Sequence, residues 1–244
     1  MDSGNIGFVL LCAAFVFVMT PGLAMFYGGL VRKKNVVNTM MTSIFIIGVG
    51  IVMWVLFGYS LSFAPSGNAF IGDFRWLGLE GVSLTEGYTD DASIPNMVFS
   101  AFQMMFAVIT PALITGAVAG RMKFKSIFVF TIFWSLIVYY PLAHMVWGQG
   151  GLLGADGIGA LDFAGGDVVH ISSVFSSLVL CILLGKRHDY EHSIYRIHNI
   201  PTVVLGASLL MFGWFGFNAG SALAADGLAA HAFMTTGVSA AAAL

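Results

Sequence analysis

Seven long apolar runs with very few charges occupy most of this sequence, and they constrain its fold more than any other feature. The runs cover approximately residues 5–31, 38–64, 96–120, 126–147, 168–185, 200–225 and 228–244. Each reaches or approaches the ~20 residues that an α-helix needs to cross ~30 Å of hydrocarbon. Membrane-spanning strands would show shorter segments of strictly alternating hydrophobicity. The runs therefore predict an all-α membrane protein, a polytopic helical bundle with about seven transmembrane helices.

Composition supports a membrane protein and argues against several other classes. The chain is 58% hydrophobic and 9% charged, whereas a soluble domain is about 25% charged. Its net charge of −2 provides no basic field for nucleic acid. Cys12 and Cys181 lie inside apolar runs, which favours small core residues over a disulfide framework. Because no CxxC, HExxH, phosphate-loop or nucleotide-binding motif occurs, we expect no enzymatic activity, metal or cofactor.

Basic residues are concentrated in the loops that follow the first, third and fifth runs. The first run lacks a basic n-region and is too long for a signal peptide, so we count it as a span. Nine of the ten basic residues lie in these three loops, namely Arg32, Lys33, Lys34, Arg121, Lys123, Lys125, Lys186, Arg187 and Arg196. Only Arg75 lies on the other side, and only Asp189 and Glu191 among the acidic residues share the basic side. The positive-inside rule then predicts cytoplasmic basic loops and an outside N-terminus.

Ionisable residues at the start of the fifth run are the first candidates for function. His170 lies just inside this run, at a depth where an ionisable residue is typical of a functional site. A neutral histidine bonded to a neighbouring helix is an equally consistent interpretation, and neutral imidazole would also suit a small polar solute or a proton relay. Asp162 either caps the helix that follows or favours a cation at the outer mouth, and the two roles are compatible. His144, at the end of the fourth run, is more typical of a structural hydrogen-bonding residue.

Aromatic residues form the second group of candidates. Phe102 and Phe106 are four positions apart on the third run and share a helix face. Trp147 ends the fourth run, and the sixth run contains Trp214, Phe215 and Phe217. Such rings either fill a core and anchor interfaces or form a cation–π cup for an ammonium-type ligand above a narrow pore. Composition leaves both interpretations open.

Five motifs follow one another along the chain. They are TPGLAMFYGGLVR at 20–32, AFQMMF at 101–106, AHMVWG at 143–148, LDFAGGDVVHI at 161–171 and GWFGFNAGS at 213–221. On these motifs the chain resembles the ammonium transporter family (Amt/Mep/Rh) over essentially its whole length. The last two motifs are the most specific.

The resemblance implies an external recruitment site. Phe106, Trp147 and Ser221 match that site in the family, with Phe102 beside them. Ammonium would be held there by cation–π contact and by a hydroxyl acceptor. Asp162 matches an aspartate that the family needs near this site.

The resemblance also implies a pore beneath the recruitment site. Phe106 and Phe217 match a stacked phenyl gate, and His170 matches the first of two facing pore histidines. Trp214 would line the pore beside His170. The implied activity is recruitment of ammonium, its deprotonation, and conduction of ammonia through a hydrophobic pore.

Family architecture sets further expectations. Members have about eleven spans, built as two halves of inverted topology plus a terminal helix. We therefore expect residues 1–244 to be one ammonium transporter domain that is C-terminally truncated and lacks the second pore histidine. The resemblance implies a homotrimer in the plasma (cytoplasmic) membrane, with a PII-type regulatory protein as a candidate partner at the cytoplasmic face.

Two alternative functions remain open. One is an ammonium-sensing membrane domain that controls a downstream signalling module. The other is a channel for a different small neutral solute. Trp147 and Phe106 disfavour the second, because aromatic rings suit a cation at the mouth.

Overall fold

Every apolar run becomes helical in the computed structural model, which describes residues 1–65, 67–155, 157–187, 190 and 194–243. Within these ranges the chain forms helices, turns and loops, and no strand. The α-helices are α1 (Ser3–Leu30), α2 (Val36–Met53), α3 (Tyr59–Phe63), α4 (Asn96–Val118), α5 (Phe124–Trp134), α6 (Tyr140–Trp147), α7 (Ser172–Leu184), α8 (Ile200–Gly220) and α9 (Gly227–Ala243). The prediction of an all-α membrane protein is confirmed.

Short π-helical segments join some of these helices into longer stretches. Trp54–Gly58 connects α2 to α3, Ser135–Tyr139 connects α5 to α6, and Gly166–Ile171 leads directly into α7. A π turn widens the helix locally and is often found at functional sites. The third of these segments carries His170.

The predicted spans are found as helices, and the end of one of them differs from the prediction. Six helical stretches in the described ranges are long and apolar enough to cross a membrane. The seventh run forms α9, a helix of 17 residues, and its predicted last residue, Leu244, lies outside the described residues. Helix α8 ends at Gly220 rather than near 225, because the chain turns there and Leu223 has a φ of 57°, which a right-handed helix cannot contain.

Helices α1 and α8 pack with their backbones in close approach, which fixes the position of α8. A Cβ atom on Gly206 would lie 2.3 Å from the backbone nitrogen of Phe26, and one on Gly213 would lie 2.8 Å from the carbonyl oxygen of Phe15. Only glycine fits at such crossings. The packing matters for function because α8 carries Trp214 and Phe217.

The basic loops gather at one end of the bundle. The backbone N–H of His198 donates to the carbonyl of Val31 at 3.1 Å, and the Arg121 guanidinium donates to the carbonyl of Gly185 at 3.0 Å. At the opposite end, the N–H of Asp2 donates to the carbonyl of Ser93 at 2.8 Å. We call this opposite end the outer end. Asp189 and Glu191, which the sequence assigns to the basic side, and His188 and His192 of the same loop lie outside the described residues.

Cysteine labelling in intact cells tests this orientation. We expect Lys33→Cys and Lys123→Cys to react with a membrane-impermeant maleimide only after permeabilisation, because positive loops are retained in the cytoplasm. Thr85→Cys, at an exposed position of the outer loop, is the matched control and should react without permeabilisation. Labelling of position 33 or 123 from outside would overturn the topology.

Candidate functional site

An outer cavity of about 590 Å³ lies between the outer ends of α4, α6 and α8. The residues that the sequence assigned to recruitment all line it, namely Phe102, Phe106, Trp147, Asp162 and Ser221. These five residues come from distant parts of the chain and from four of the five motifs. The fold thus brings the predicted recruitment residues together in one cavity.

Aromatic rings in this cavity meet edge to face. The ring centre of Phe106 lies 5.9 Å from that of Trp147 with an interplanar angle of 85°. The Phe102 and Phe106 ring centres are 4.9 Å apart at 68°. Such T-shaped pairs are the favoured arrangement of aromatic side chains. Aromatic faces carry partial negative charge, so this group of rings is suited to a cation.

Asp162 caps the helical segment that carries His170. Its Oδ1 accepts the backbone N–H groups of Gly165 at 2.5 Å and Gly166 at 2.8 Å. Its Oδ2 accepts those of Asp167 at 2.8 Å and Val168 at 3.0 Å. Four donors occupy the roughly four lone-pair positions of a carboxylate. The carboxylate therefore acts on the site through its charge and through the helix it caps.

Asp162 is also connected to the aromatic part of the cavity. The indole Nε1 of Trp147 donates to the backbone carbonyl of Asp162 at 3.1 Å. Gly165 makes this tight loop possible, because its φ of 102° is accessible mainly to glycine. Asp162 thus orients both the Trp147 ring and the start of the Gly166–Ile171 segment, which carries His170.

Phe106 and Phe217 separate the outer cavity from a second, inner one. Their ring centres are 4.3 Å apart with an interplanar angle of 44°, so the two rings are in contact and tilted against each other. Both side chains are 1% exposed. Phe106 lines the outer cavity and Phe217 lines the inner one. The contact between the two rings therefore joins the wall of the outer cavity to the wall of the inner one.

The inner cavity, of about 290 Å³, is lined by largely apolar side chains together with His170 and Trp214. The His170 ring lies 6.0 Å from the ring of Phe217 at 30°. The hydroxyl of Tyr27, which also lines this cavity, donates to the carbonyl of Leu113 at 2.9 Å. Its polar hydrogen is therefore already used, which leaves the His170 imidazole as the titratable group best able to exchange a proton with a molecule there.

His144 has a structural role, as the sequence predicted. Its ring is fully buried, with Nδ1 at 3.1 Å from the carbonyl oxygen of Ser62 and Nε2 at 2.7 Å from that of Asn68. Both nitrogens face backbone carbonyl groups, one in α3 and one in the loop that follows it, and His144 is not among the described residues that line the two cavities. The histidine ties α6 to the end of α3.

Sequence reasoning missed Gln103, a further residue of the outer cavity. Gln103 lines the cavity and is 8% exposed. Its Oε1 has no hydrogen-bond partner in the part of the chain that the structure describes. The available signal was a long amide side chain between two motif phenylalanines on an otherwise apolar helix.

Comparison with known proteins agrees with these features. The Ammonium Transporter Family model matches residues 7–244. An ammonium transporter of Bacillus subtilis (strain 168) is 52% identical over 242 residues, which are 99% of this chain and 58% of that protein. An ammonium transporter of Mycobacterium tuberculosis (strain H37Rv) is 44% identical over 263 residues, covering 100% of this chain and 55% of that protein. The chain thus spans little more than half the length of these curated relatives.

Solved structures show the same fold. The crystal structure of Candida albicans Mep2 superposes with a TM-score of 0.86 and 33% identity, covering 97% of this chain and 52% of that chain. A sensor Amt protein superposes with a TM-score of 0.85 and 28% identity, covering 98% of this chain and 59% of that one. The similarity to both the sequences and the structures extends over nearly all of residues 1–244, and this multi-pass membrane chain belongs to the ammonium transporter family.

Proposed function

We propose that residues 1–244 form the first part of an ammonium transporter domain in the plasma membrane. Ammonium is recruited in the outer cavity, loses a proton, and crosses the inner cavity as neutral ammonia. The observation that carries this proposal is the contrast between the two cavities on either side of the Phe106–Phe217 pair. The outer one has aromatic rings and a carboxylate in its wall, and the inner one is apolar with an imidazole.

Energetics favour the neutral species in the inner cavity. Moving a bare cation into hydrocarbon costs at least several kcal/mol, and tens by an idealised Born calculation. Deprotonating an amine whose pKa is about 2–3 units above the ambient pH costs only about 3–4 kcal/mol. No carboxylate is found among the described residues that line the inner cavity. If charge crosses, the proton needs a separate route, and His170 is the proposed carrier.

The five residues assigned to recruitment have different roles in it. Phe106 and Trp147, with Phe102 beside them, attract the cation through their rings. The Ser221 hydroxyl donates to the carbonyl of Phe217 at 2.9 Å, so its oxygen remains available to accept an N–H bond from ammonium. Asp162 contributes negative charge to the wall and keeps Trp147 in position.

Family membership supports further parts of the proposal. We infer a homotrimer as the assembly and a PII-type protein as a regulatory partner at the cytoplasmic face. The gathered basic loops at that end of the bundle would present positive charge to such a partner.

Ammonium sensing is the second candidate function, because a sensor Amt protein shares the fold at a TM-score of 0.85. A sensor would use the outer cavity for binding without rapid flux. Uptake of labelled methylammonium by cells that express the whole protein, as its gene encodes it, separates the two functions. Absence of uptake together with ligand binding would favour the sensor and overturn transport.

A substitution of Trp147 tests the recruitment site within the same assay. We expect Trp147→Leu to raise the KM for methylammonium by about 2- to 30-fold, since a cation–π contact contributes ~0.5–2 kcal/mol. Thermal stability should change little, because the ring is only partly buried at a helix end. Trp147→Phe keeps an aromatic face and should stay close to the wild-type KM. An unchanged KM and selectivity in Trp147→Leu would remove Trp147 from the site.

A further inference from the structure

We propose that Gln103 is an additional ligand for ammonium in the outer cavity. Its side-chain carbonyl oxygen accepts an N–H hydrogen bond from the recruited cation. This inference rests on the proposed function, because it assigns a further contact to the same site. Gln103 is neither one of the aromatic residues of the proposed recruitment site nor its hydroxyl acceptor.

The position of Gln103 on α4 places it among the aromatic residues of the cavity. It directly follows Phe102 and precedes Phe106 by three positions, which is slightly less than one helical turn. Residues at this spacing lie on the same side of a helix. All three side chains line the outer cavity.

The state of the Gln103 amide is unusual for a buried polar group. The side chain is more than nine-tenths buried, and Oε1 has no donor within hydrogen-bonding distance among the described residues. Burying an acceptor without a partner costs free energy, and such groups are rare in folded proteins. Departures of this kind are expected where a residue serves ligand binding at the expense of stability.

Asp162, the carboxylate beside the aromatic rings, is already engaged as an acceptor. Both oxygens of Asp162 accept two backbone N–H groups each. The Ser221 hydroxyl is oriented by its bond to the carbonyl of Phe217. Gln103 adds to the Ser221 oxygen a second acceptor, because its Oε1 receives no hydrogen bond from the described residues. Aromatic faces attract any small cation, whereas an acceptor of this kind adds a directional contact to the N–H groups of ammonium.

Two substitutions of Gln103 separate ligand binding from a structural role. Gln103→Met has a similar length but no acceptor, and Gln103→Glu keeps a carbonyl or carboxylate oxygen while losing the amide N–H groups. If Gln103 accepts from ammonium, Gln103→Met should raise the KM for methylammonium about tenfold, the order expected for losing one hydrogen bond to a charged group. Gln103→Glu should keep the KM at or below the wild-type value. The maximal rate should change less than the KM in both variants.

Thermal unfolding of the same variants in detergent without substrate provides the second readout. Gln103→Met should melt at or above the wild-type temperature, because it removes an unpaired buried acceptor. A structural role predicts the opposite, namely that both variants melt lower and change the KM in the same direction. That result, or a wild-type KM in Gln103→Met, would overturn the inference. If Gln103→Met does not fold, Gln103→Glu decides alone. A raised KM in Gln103→Glu would overturn the inference, and a KM at or below the wild-type value would support it.

The wild-type protein distinguishes this inference from the function on which it rests. If the wild type takes up no methylammonium, the proposed function fails. If the wild type transports and Gln103→Met transports with the same KM, the function stands and only the assignment of Gln103 fails.

Discussion

Replacing Asp162 by alanine should destabilise the protein by about 2–4 kcal/mol. This loss exceeds the usual ~0.5–2 kcal/mol for removing a helix cap, because the carboxylate accepts four backbone N–H groups rather than one or two. Its removal leaves these donors without a protein partner at the start of the Gly166–Ile171 segment, and hydrogen bonds to charged groups are among the stronger ones. Chemical unfolding in detergent micelles, compared with the wild type, measures the loss.

Two variants make the Asp162 test specific. Asp162→Asn keeps one acceptor oxygen and should therefore retain about half of the four bonds, giving an intermediate loss. Asp167→Ala removes a neighbouring carboxylate that accepts no hydrogen bond in the described part of the chain, so it should cost less than about 0.5 kcal/mol. If Asp167→Ala were as destabilising as Asp162→Ala, the stabilisation would come from negative charge near the helix start and not from the cap.

Asp162→Ala should also impair uptake in the molecules that remain folded. The carbonyl of Asp162 accepts the indole N–H of Trp147, and the capped segment leads to His170 within one and a half turns. Loss of the cap should make the positions of the Trp147 and His170 side chains less well defined. We therefore expect Asp162→Ala to raise the KM and also to lower the maximal rate, whereas Trp147→Leu should affect the KM alone.

Hydrophobic length was enough to predict the helices of this fold, because lipid requires every span to satisfy its own backbone hydrogen bonds. Local geometry was harder to predict. The end of α8 was placed too late because Ala222, Leu223, Ala224 and Ala225 are apolar, and hydropathy does not register the turn that Leu223 makes with its positive φ. The π turns were also missed, since a π turn needs no distinctive residue.

Prediction of the candidate site depended mainly on motifs. The residues alone left Asp162 undecided between a cap and a cation site, because only the folded backbone shows how many N–H groups converge on its oxygens. Gln103 was missed for a related reason: whether a buried amide has a partner is a property of tertiary contacts. The tilt of Phe217 against Phe106 likewise depends on how α8 packs on α1 and α4.

Replacing His170 by alanine should reduce ammonium-driven currents by about 100-fold or more, which is the lower part of the range for a positioned proton-transfer group. His170 lines the inner cavity beside Phe217, where the other lining side chains are largely apolar. Without the imidazole, the titratable side chain left among the described lining residues is Tyr27, whose hydroxyl hydrogen is already donated to the carbonyl of Leu113. Currents from vesicles reconstituted with the whole protein, after ammonium pulses at several pH values, provide the measurement.

Stability must be compared in parallel, because a misfolded variant would also give no current. The His170 ring makes no hydrogen bond to the described residues, so His170→Ala should lower stability far less than a substitution that leaves a buried partner unpaired. His144→Ala is the matched control: it removes a buried ring that contacts two carbonyls, and its main effect should be on stability. His170→Gln keeps a polar side chain that cannot carry a proton and should resemble His170→Ala, whereas His170→Asp keeps a titratable group with a different pKa and should shift the pH dependence of the current. Wild-type currents from a folded His170→Ala protein would exclude the proton relay, and His170 would then only line the cavity.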